Sequence, residues 1–409
     1  MIDVEAVRAR FPALARMIGE HPVVHLDGPA GSQVPASVAH AVADALANHN
    51  GNTHGLFATS REAEEIEADA RRSAADLFGT GDPDCIVFGP NATTLLFALS
   101  RAIGRTLGGD DEIVVTQLDH DANVTPWMIA AREAGAGLKV ARIRPEDGEL
   151  DLDDLAAAVS PRTRVVAVTA ASNAIGSLPP VARIAELAHA YGALLVVDAV
   201  HYAPHRLMDV EAWGCDLAVC SPYKFFGPHA GILWGKRATL ESLPAYRVRP
   251  VGDALPYRWM PGTPSFEAMA GTAAAIRYLA SLSGVSGAEG RAALTAAYRR
   301  IAVHEQALCR QLLIGLDRLP VKVFGSADPD AVADRAPTVA FTHASRTPAE
   351  VAAYLGERGV FVWHGNYYAL ELSSALGCEP DGMVRVGILH YNTDGEIDRL
   401  LSLLAELGA

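Results

Sequence analysis

Seven short apolar runs alternate with alanine- and leucine-rich stretches of helical length between about residue 84 and residue 235. This alternation is typical of parallel strands joined by crossover helices. The predicted strands are 85–89, 112–116, 138–143, 164–169, 194–197, 217–220 and 231–234, and the predicted helices are 91–103, 121–133, 152–159 and 181–191. We therefore expect an α/β domain with a seven-stranded, mostly parallel sheet, whose ligands lie at the carboxyl edge of the strands.

The chain changes character after this region. Residues 240–268 are rich in proline, glycine and aromatics and show no clear period, which predicts a functional loop at a domain boundary. A helical stretch begins near Met269, and strands are predicted over 321–324, 338–341 and 383–386. We predict an N-terminal helical segment over 1–24 that packs with the small domain, a large domain over 25–268, and a smaller α+β domain over 269–409.

Composition narrows the classes of partner and compartment. The formal charge of -14 argues against a nucleic-acid or anionic membrane surface. The five cysteines lack paired CxxC spacing, so we expect reduced thiols, no disulfide and no metal site. The amino terminus lacks the basic start and apolar stretch of a signal peptide, and no run approaches the roughly 20 apolar residues of a membrane span. These features predict a cytoplasmic protein.

An acid and a lysine follow two neighbouring strands. Asp198 ends one apolar run, and Lys224 closes the Ser-Pro-Tyr-Lys segment after the next. Pyridoxal phosphate needs such a pair, an amine for a Schiff base and a partner for its pyridine nitrogen. Taken singly, the aspartate is more often a cap and the lysine a surface group. Glycines at 227 and 231 strengthen the interpretation, because they let backbone approach a bound group closely.

Three further loops after strands carry polar groups. Asn91-Ala92-Thr93-Thr94 joins a strand to a helix, so it would suit a phosphate, although a plain Asn91 N-cap is the alternative. His120 would either lay a flat ring over a cofactor or serve as a structural histidine. Asn173 would either cap a turn or donate to the cofactor's phenolic oxygen.

The order and spacing of these segments resemble the fold-type I pyridoxal-phosphate enzymes of aminotransferase class V, and the cysteine desulfurases in particular. The resemblance rests on residues 26–30, 91–94, 119–120, 172–173, 198–201, 221–224, 262–264, 385 and 391–392. It implies an aspartate aminotransferase-like fold and pyridoxal 5'-phosphate as the cofactor. It also implies a small amino-acid substrate and a homodimer with a shared active site.

Carried over by position, the resemblance implies roles for individual residues. Lys224 would form the Schiff base, Asp198 would keep the pyridine nitrogen protonated, and His120 would stack on the ring. The remaining cofactor contacts would come from Asn173 and His201 at the phenolic oxygen, from Ala92, Thr93, Ser221 and Tyr223 at the phosphate, and from Thr263 of the second subunit. The substrate would contact Asn366, Tyr368 and Arg385, whose guanidinium would grip the carboxylate as a bidentate fork.

The chain departs from the desulfurase pattern in the loop over residues 362–369. Tyr368 stands where those enzymes carry a cysteine nucleophile, and a phenol with a reference pKa of about 10 cannot form a persulfide. Trp363 and Tyr223 replace the usual arginine and histidine. Cys378 is a possible substitute nucleophile, but a plain loop thiol is the more frequent case.

These features favour a pyridoxal-phosphate enzyme in which Lys224 removes the α-proton of an amino acid. The first expectation is a desulfurase-like C–S lyase without an enzyme persulfide at the usual position. An aminotransferase or an epimerase is the alternative. A non-catalytic partner of a sulfur-transfer system is the third hypothesis, and the joint presence of Lys224, Asp198, His120 and Arg385 argues against it.

Overall fold

Residues 2–408 are described by a computed structural model in which helices and strands alternate along most of the chain. The α-helices are α1 (Val4–Arg8), α2 (Ala36–Asn48), α3 (Ala58–Phe78), α4 (Ala92–Gly104), α5 (Thr125–Ala134), α6 (Leu152–Ala158), α7 (Val181–Ala190), α8 (Val210–Trp213), α9 (Arg237–Ser242), α10 (Phe266–Ala280), α11 (Gly290–Leu316), α12 (Pro348–Glu357), α13 (Leu370–Ala375) and α14 (Asp394–Gly408). The strands are β1 (Met17–Ile18), β2 (His21–Pro22), β3 (Val24–His25), β4 (Ile86–Gly89), β5 (Glu112–Thr116), β6 (Gly137–Ala141), β7 (Ile143–Arg144), β8 (Glu149–Leu150), β9 (Thr163–Thr169), β10 (Leu194–Asp198), β11 (Leu217–Cys220), β12 (Gly231–Gly235), β13 (Val321–Phe324), β14 (Thr338–His343), β15 (Val360–Phe361), β16 (Trp363–Gly365) and β17 (Met383–Gly387).

The large sheet has seven strands in the order β4-β12-β11-β10-β9-β5-β6. Only β12 runs antiparallel to its neighbours, and all other pairs within β5, β6, β9, β10 and β11 are parallel. The central strands are buried along most of their length, with Arg164 as the one exposed residue of β9, β10 and β11, as expected when helices cover both faces. The predicted seven-stranded, mostly parallel sheet is confirmed.

Two predicted elements are broken where local polar groups intervene. The apolar run over 138–143 divides into β6 and β7, because the Arg142 backbone N–H donates to Asp154 at 2.8 Å instead of continuing the sheet. The helix predicted over 121–133 begins at Thr125, since His120 Nδ1 accepts a hydrogen bond from the Ala122 N–H and shapes a separate 3-10 turn. Pro126 then lies in the first turn of α5, where its missing N–H costs nothing.

The smaller sheet is antiparallel, in the order β13-β14-β17-β16. The strand β16 was not predicted, because three residues are too few for an alternating pattern. The N-terminal region also contributes here, since β3 pairs in parallel with β15. Arg8 of α1 donates to Glu396 of α14 at 2.9 Å.

Two hydrophobic cores are present, and the long helix α11 belongs to both. Leu294 and Ile301 pack in the large core, whereas Leu308 and Leu316 pack in the smaller one. Helix α10 lies in the large core, and Val24 and Leu26 of the N-terminal region lie in the smaller core. The large core therefore extends past residue 268, while the division into domains at residues 24 and 268 stays a prediction.

Among residues 2–408, every helix is too short or too polar to cross a membrane. The same residues include no cluster of histidine, cysteine, aspartate or glutamate that could hold a metal ion.

Candidate active site

A cavity of about 250 Å³ lies at the carboxyl edge of β5, β9 and β10 and is bounded on its other side by the loop after β15. All but two of the residues predicted for the site line it: Ala92, Thr93, His120, Asn173, Asp198, His201, Ser221, Tyr223, Lys224, Tyr368 and Arg385. The exceptions are Thr263 and Asn366. The cavity thus brings together groups that are separated by almost 300 positions in the sequence.

The acid and the amine reach the cavity from adjacent strands. Asp198 ends β10, and Lys224 closes a 3-10 turn after β11, its parallel neighbour. The Asp198 carboxylate accepts a hydrogen bond from the Val200 N–H at 2.8 Å, and burial raises its pKa to about 6. Burial, with a contribution from the Arg385 charge, lowers the pKa of Lys224 to about 7. Such a lysine can act as a base near neutral pH.

The lysine turn is held by a segment that the sequence analysis did not assign to this task. The Lys224 ammonium donates to the Pro29 carbonyl. The Ser32 hydroxyl donates to the Tyr223 carbonyl at 3.0 Å and accepts from the Phe226 N–H at 2.7 Å. Phe226 has a left-handed backbone with φ of 70°, so the turn needs this bracing. Nothing in the local pattern of residues 28–33 indicates which turn they would contact.

The start of α4 faces the cavity at its other end. Asn91 does cap this helix, because its side chain accepts from the Thr94 N–H at 2.8 Å. The backbone N–H groups of Ala92 and Thr93 belong to the same first turn, where the helix dipole is positive. The Ser221 hydroxyl lies 3.4 Å from the Ala92 nitrogen. Together these groups could hold a phosphate.

The glycines after Lys224 serve backbone packing. A Cβ at Gly231 would lie 2.3 Å from the Asn91 carbonyl carbon, and one at Gly227 would lie 2.8 Å from the Pro222 side chain. Both glycines therefore allow one protein segment to approach another. That they also let backbone approach a bound group stays a prediction.

His120 presents a neutral ring to the cavity. Burial, followed by the charge on Lys224, lowers its pKa to about 4. Its Nδ1 accepts from the Ala122 N–H at 3.0 Å, so the single ring proton resides on Nε2. The Tyr368 ring lies 5.5 Å from the His120 ring, between centroids, with a tilt of 31°.

Three buried polar atoms of the cavity lining have no partner among the described residues: Nδ1 of His201, Oδ1 of Asn173 and Nε of Arg385. The other ring nitrogen of His201 lies 2.9 Å from the Thr338 hydroxyl, and burial holds the pKa of this histidine well below its usual range. Unpartnered buried polar atoms are costly. Their presence on one cavity wall indicates that a polar ligand completes them.

Arg385 is a buried cation, and no described carboxylate lies within ion-pair distance of it. Burial lowers its pKa to about 10, so the guanidinium is still charged at neutral pH. One nitrogen donates to the Asn173 carbonyl at 2.8 Å, and Nε has no partner. The guanidinium carbon lies 4.1 Å from the centroid of the Tyr367 ring. This arrangement suits an anionic ligand.

Tyr367, the neighbour of Tyr368 in the 362–369 loop, is a central contact of the site. Its ring is buried, its hydroxyl donates to the Met383 carbonyl, and its own carbonyl accepts from the Asn173 amide at 3.0 Å. Tyr367 and Tyr368 both have left-handed backbones, with φ of 58° and 60°. A non-glycine pair in this conformation persists only when surrounding contacts hold it.

Asn366, predicted to bind substrate, does not line the cavity. Its amide donates to Glu379 at 3.0 Å and its oxygen accepts from the Tyr368 N–H at 3.1 Å. This is the local side-chain bonding typical of asparagine in turns, and it shapes the loop.

Thr263 is exposed and lines a separate groove with His229 and Trp259. His229 stacks on Tyr223, with ring centroids 5.1 Å apart, so the groove adjoins the cavity. The role predicted for Thr263 depends on a second subunit and stays a prediction.

Comparison with known proteins identifies similar chains over the whole length. The family model described as aminotransferase class-V matches residues 24–400. A cysteine desulfurase from Klebsiella pneumoniae is 30% identical over 421 residues, covering 99% of this chain and 98% of the relative. A probable cysteine desulfurase from Streptomyces coelicolor is 29% identical and covers 98% of this chain and 96% of its own.

Solved structures give the same result. The apo structure of a cysteine desulfurase from Thermococcus onnurineus aligns with a TM-score of 0.88 and 27% identity, over 100% of this chain and 98% of its own. A cysteine desulfurase from Escherichia coli, with an S-sulfonic acid, aligns with a TM-score of 0.84 and 26% identity, over 100% of both chains.

Proposed function

The chain belongs to the aminotransferase class V family of pyridoxal-phosphate-dependent enzymes, and we propose that it is a desulfurase-like C–S lyase that uses no enzyme thiol. In the proposed reaction, an amino acid loses its α-proton and then a sulfur group from its β-carbon. The observation that carries this proposal is a cavity with a base, an acid and a free guanidinium but no cysteine among the described lining residues.

Pyridoxal phosphate fits the groups that face the cavity. The phosphate matches the first turn of α4 with Ser221, and the pyridine nitrogen matches the buried Asp198 carboxylate. The unpartnered Nδ1 of His201 and Oδ1 of Asn173 supply polar contacts for the rest of the ring. When bound, this cofactor supplies an electron sink for negative charge at the substrate's α-carbon.

Lys224 would hold the cofactor, and its free amine is placed in the cavity to take the α-proton. A pKa of about 7 leaves a useful fraction of the amine unprotonated at neutral pH, which a base requires. His120 covers the ring as a neutral group, since its pKa of about 4 keeps it from adding charge. The Pro29 carbonyl and the bracing by Ser32 keep the lysine aimed at the cavity.

Arg385 binds the substrate carboxylate. Its Nε edge is unpartnered, while its other contacts fix the plane of the guanidinium against the Tyr367 ring. A planar fork with a free edge is the geometry for a bidentate carboxylate. This contact also orients the α-proton toward Lys224, because the amino group and the carboxylate are then both held.

The sulfur leaves without an enzyme persulfide. Tyr368 occupies the loop position at which the resemblance implies a cysteine. Of the five cysteines, Cys378 alone is partly accessible, and it lies outside the cavity lining with a pKa raised by burial. A raised pKa means little thiolate, the form that attacks sulfur.

The proposed assembly is a homodimer in which Thr263 reaches the phosphate of the second subunit. Thr263 is exposed in the groove that it shares with His229, the residue that stacks on Tyr223, and this exposure supports the assembly. A cytoplasmic location stays a prediction.

The test is product analysis with the cofactor-loaded protein. L-cysteine and S-methyl-L-cysteine are supplied in deuterated water, and α-deuterium exchange, sulfide or methanethiol, pyruvate and alanine are measured. Pyruvate with the free thiol is the expected result. Alanine, with sulfide released from the S(0) product by an added dithiol reductant, would replace it by a desulfurase. A keto acid that retains its sulfur would replace it by an aminotransferase, and inversion at the α-carbon by an epimerase. Binding without any exchange would favour the non-catalytic hypothesis.

A further inference from the structure

Two large aromatic side chains stand at the mouth of the cavity. Trp363 is 51% exposed and Tyr368 is 73% exposed, although both line the cavity. Apolar surface that remains in water contributes no burial energy, and an exposed patch of this kind commonly marks a binding surface. The pair therefore offers a wall that a ligand could cover.

The aromatic wall is adjacent to the proposed carboxylate site. Trp363 on β16 pairs directly with Arg385 on β17 in the antiparallel ladder. Residues opposite each other in such a pair point to the same face, with Cβ atoms about 4.5–5.5 Å apart. A substrate whose carboxylate contacts Arg385 thus has its side chain within reach of the indole.

The loop that carries Tyr368 is held by hydrogen bonds to the backbone carbonyls of Tyr367 and Tyr368. The Asp121 N–H donates to the Tyr368 carbonyl at 2.7 Å, and the Asn173 amide donates to the Tyr367 carbonyl at 3.0 Å. With the Tyr367 ring seated on Arg385, the three residues Asn173, Tyr367 and Arg385 form a closed set of contacts. The wall is part of the site's built shape.

Every charged side chain of the described cavity lining already has a role in the proposed function. Asp198, Lys224 and Arg385 are the acid, amine and guanidinium of the described lining, and the proposed function uses all three. The histidines of the lining, His120 and His201, have lowered pKa values and are neutral. No charged side chain of the described lining is left to pair with a charge on the substrate's own side chain.

We infer that the substrate is an S-substituted cysteine whose sulfur carries a large uncharged group, an aromatic one above all, which packs on Trp363 and Tyr368. This inference rests on the proposed function and names its substrate class. Lys224 takes the α-proton, the Cβ–S bond breaks, and the electron pair leaves on sulfur, which is protonated to the free thiol. With one water consumed, the remaining three-carbon unit yields pyruvate and ammonium, so no oxidant or reductant is needed.

The experiment compares three thioethers on the cofactor-loaded enzyme: S-benzyl-L-cysteine, S-carboxymethyl-L-cysteine and S-aminoethyl-L-cysteine. All three leave as alkyl thiols, so they differ mainly in the size and charge of the group on sulfur. Binding is measured by the change in the cofactor's visible absorbance, and turnover by pyruvate and thiol. We expect S-benzyl-L-cysteine to bind at least about tenfold more tightly than either charged compound. Its benzyl group gains an aromatic contact with the wall, whereas the charge on the sulfur substituent of the other two compounds would be buried without a partner.

Two wall variants and one control locate the effect. W363A and Y368A should each weaken binding of S-benzyl-L-cysteine by about fivefold to tenfold, and that of S-methyl-L-cysteine by less than about twofold. Y191A removes an exposed tyrosine at the end of α7, outside the cavity, and should change neither. Equal binding of the three thioethers by the unaltered enzyme would overturn the inference whether or not the variants fold. Unchanged S-benzyl-L-cysteine binding in both wall variants would also overturn it. A cofactor band that responds to no amino acid would instead contradict the proposed function itself.

Discussion

The edge of the seven-stranded sheet and the loop that follows β16 of the four-stranded sheet face each other across one cavity, but they are held by different means. Asp198 and Lys224 follow strands whose pairing is regular over several residues on each side. Tyr367 and Tyr368 instead sit in consecutive left-handed conformations, each costing on the order of 1 kcal/mol, and single contacts hold them. Regular pairing thus fixes Asp198 and, together with the Ser32 contacts, the lysine turn, whereas contacts particular to this loop fix the wall.

This difference indicates which part of the site can change the reaction while the fold stays the same. The groups at the sheet edge serve α-proton removal, which many reactions of amino acids share. The loop decides what surrounds the substrate's side chain and which nucleophile, if any, meets its sulfur. A cavity in which the sheet edge carries the general α-proton chemistry and the loop is distinctive is therefore consistent with a shared first step and a different product.

The largest expected effect tests the sheet edge that carries Lys224. K224A should lower α-deuterium exchange by roughly 10³-fold, because the positioned base is lost. Exchange in deuterated water, followed by NMR, measures it with the cofactor supplied in excess. K322A, which removes an exposed lysine of β13 outside the cavity lining, is the matched control and should retain full exchange. Substantial exchange by K224A would mean that another group is the base.

The second prediction concerns the cost of burying the lysine in the cofactor-free protein. The pKa of Lys224 falls from 10.5 to about 7 on folding, so the unfolded chain binds more protons between these pH values and stability rises with pH there. The destabilisation of the wild type relative to K224M should therefore shrink by on the order of 2 kcal/mol between pH 7 and pH 9. Urea unfolding at both pH values measures it.

The shift of Asp198 acts in a different window and does not obscure this result. Its pKa is raised from 3.8 to about 6, so its contribution falls with rising pH below about pH 6. A difference between wild type and K224M that stays constant from pH 7 to pH 9 would contradict the buried, shifted amine.

The third prediction tests the loop. Y367L removes the ring beneath Arg385 and should raise the KM for the amino acid by about tenfold with little change in kcat, since a desolvated cation–π contact contributes about 2 kcal/mol or less. Y367F keeps the ring and loses only the hydrogen bond to Met383, so its effect should be smaller. Steady-state kinetics of pyruvate formation measures both. Equal effects of the two variants would assign the role to the hydroxyl instead of the ring.

The sequence predicts the sheet edge better than it predicts the loop. Hydrophobic periodicity locates strands, and the carboxyl ends of parallel strands meet at one edge, so Asp198, Lys224 and His120 could be placed in one cavity beforehand. The burial of Tyr367 depends on the pairing of a three-residue strand and on a left-handed turn, neither of which has a periodic signal. Nothing local in the sequence shows that the Asn366 amide would donate to Glu379, and its predicted contact with the substrate stays a prediction.

The smallest expected effect concerns sulfur, and it separates the two ways in which a desulfurase-like fold could release it. C378S should leave the rate and products of lyase activity within about twofold of the wild type, because the half-buried thiol lies outside the cavity lining and its weak hydrogen bond to the Leu376 carbonyl is one that a hydroxyl can also make. Pyruvate, thiol and sulfide are measured with L-cysteine and with S-methyl-L-cysteine. If C378S abolished sulfide from L-cysteine while methanethiol release persisted, sulfur would pass through Cys378 for the free thiol substrate. The loop would then have to move further than the hydrogen bonds to the Tyr367 and Tyr368 carbonyls allow. The contrast between a regularly paired sheet edge and a loop held by its own contacts would then no longer hold.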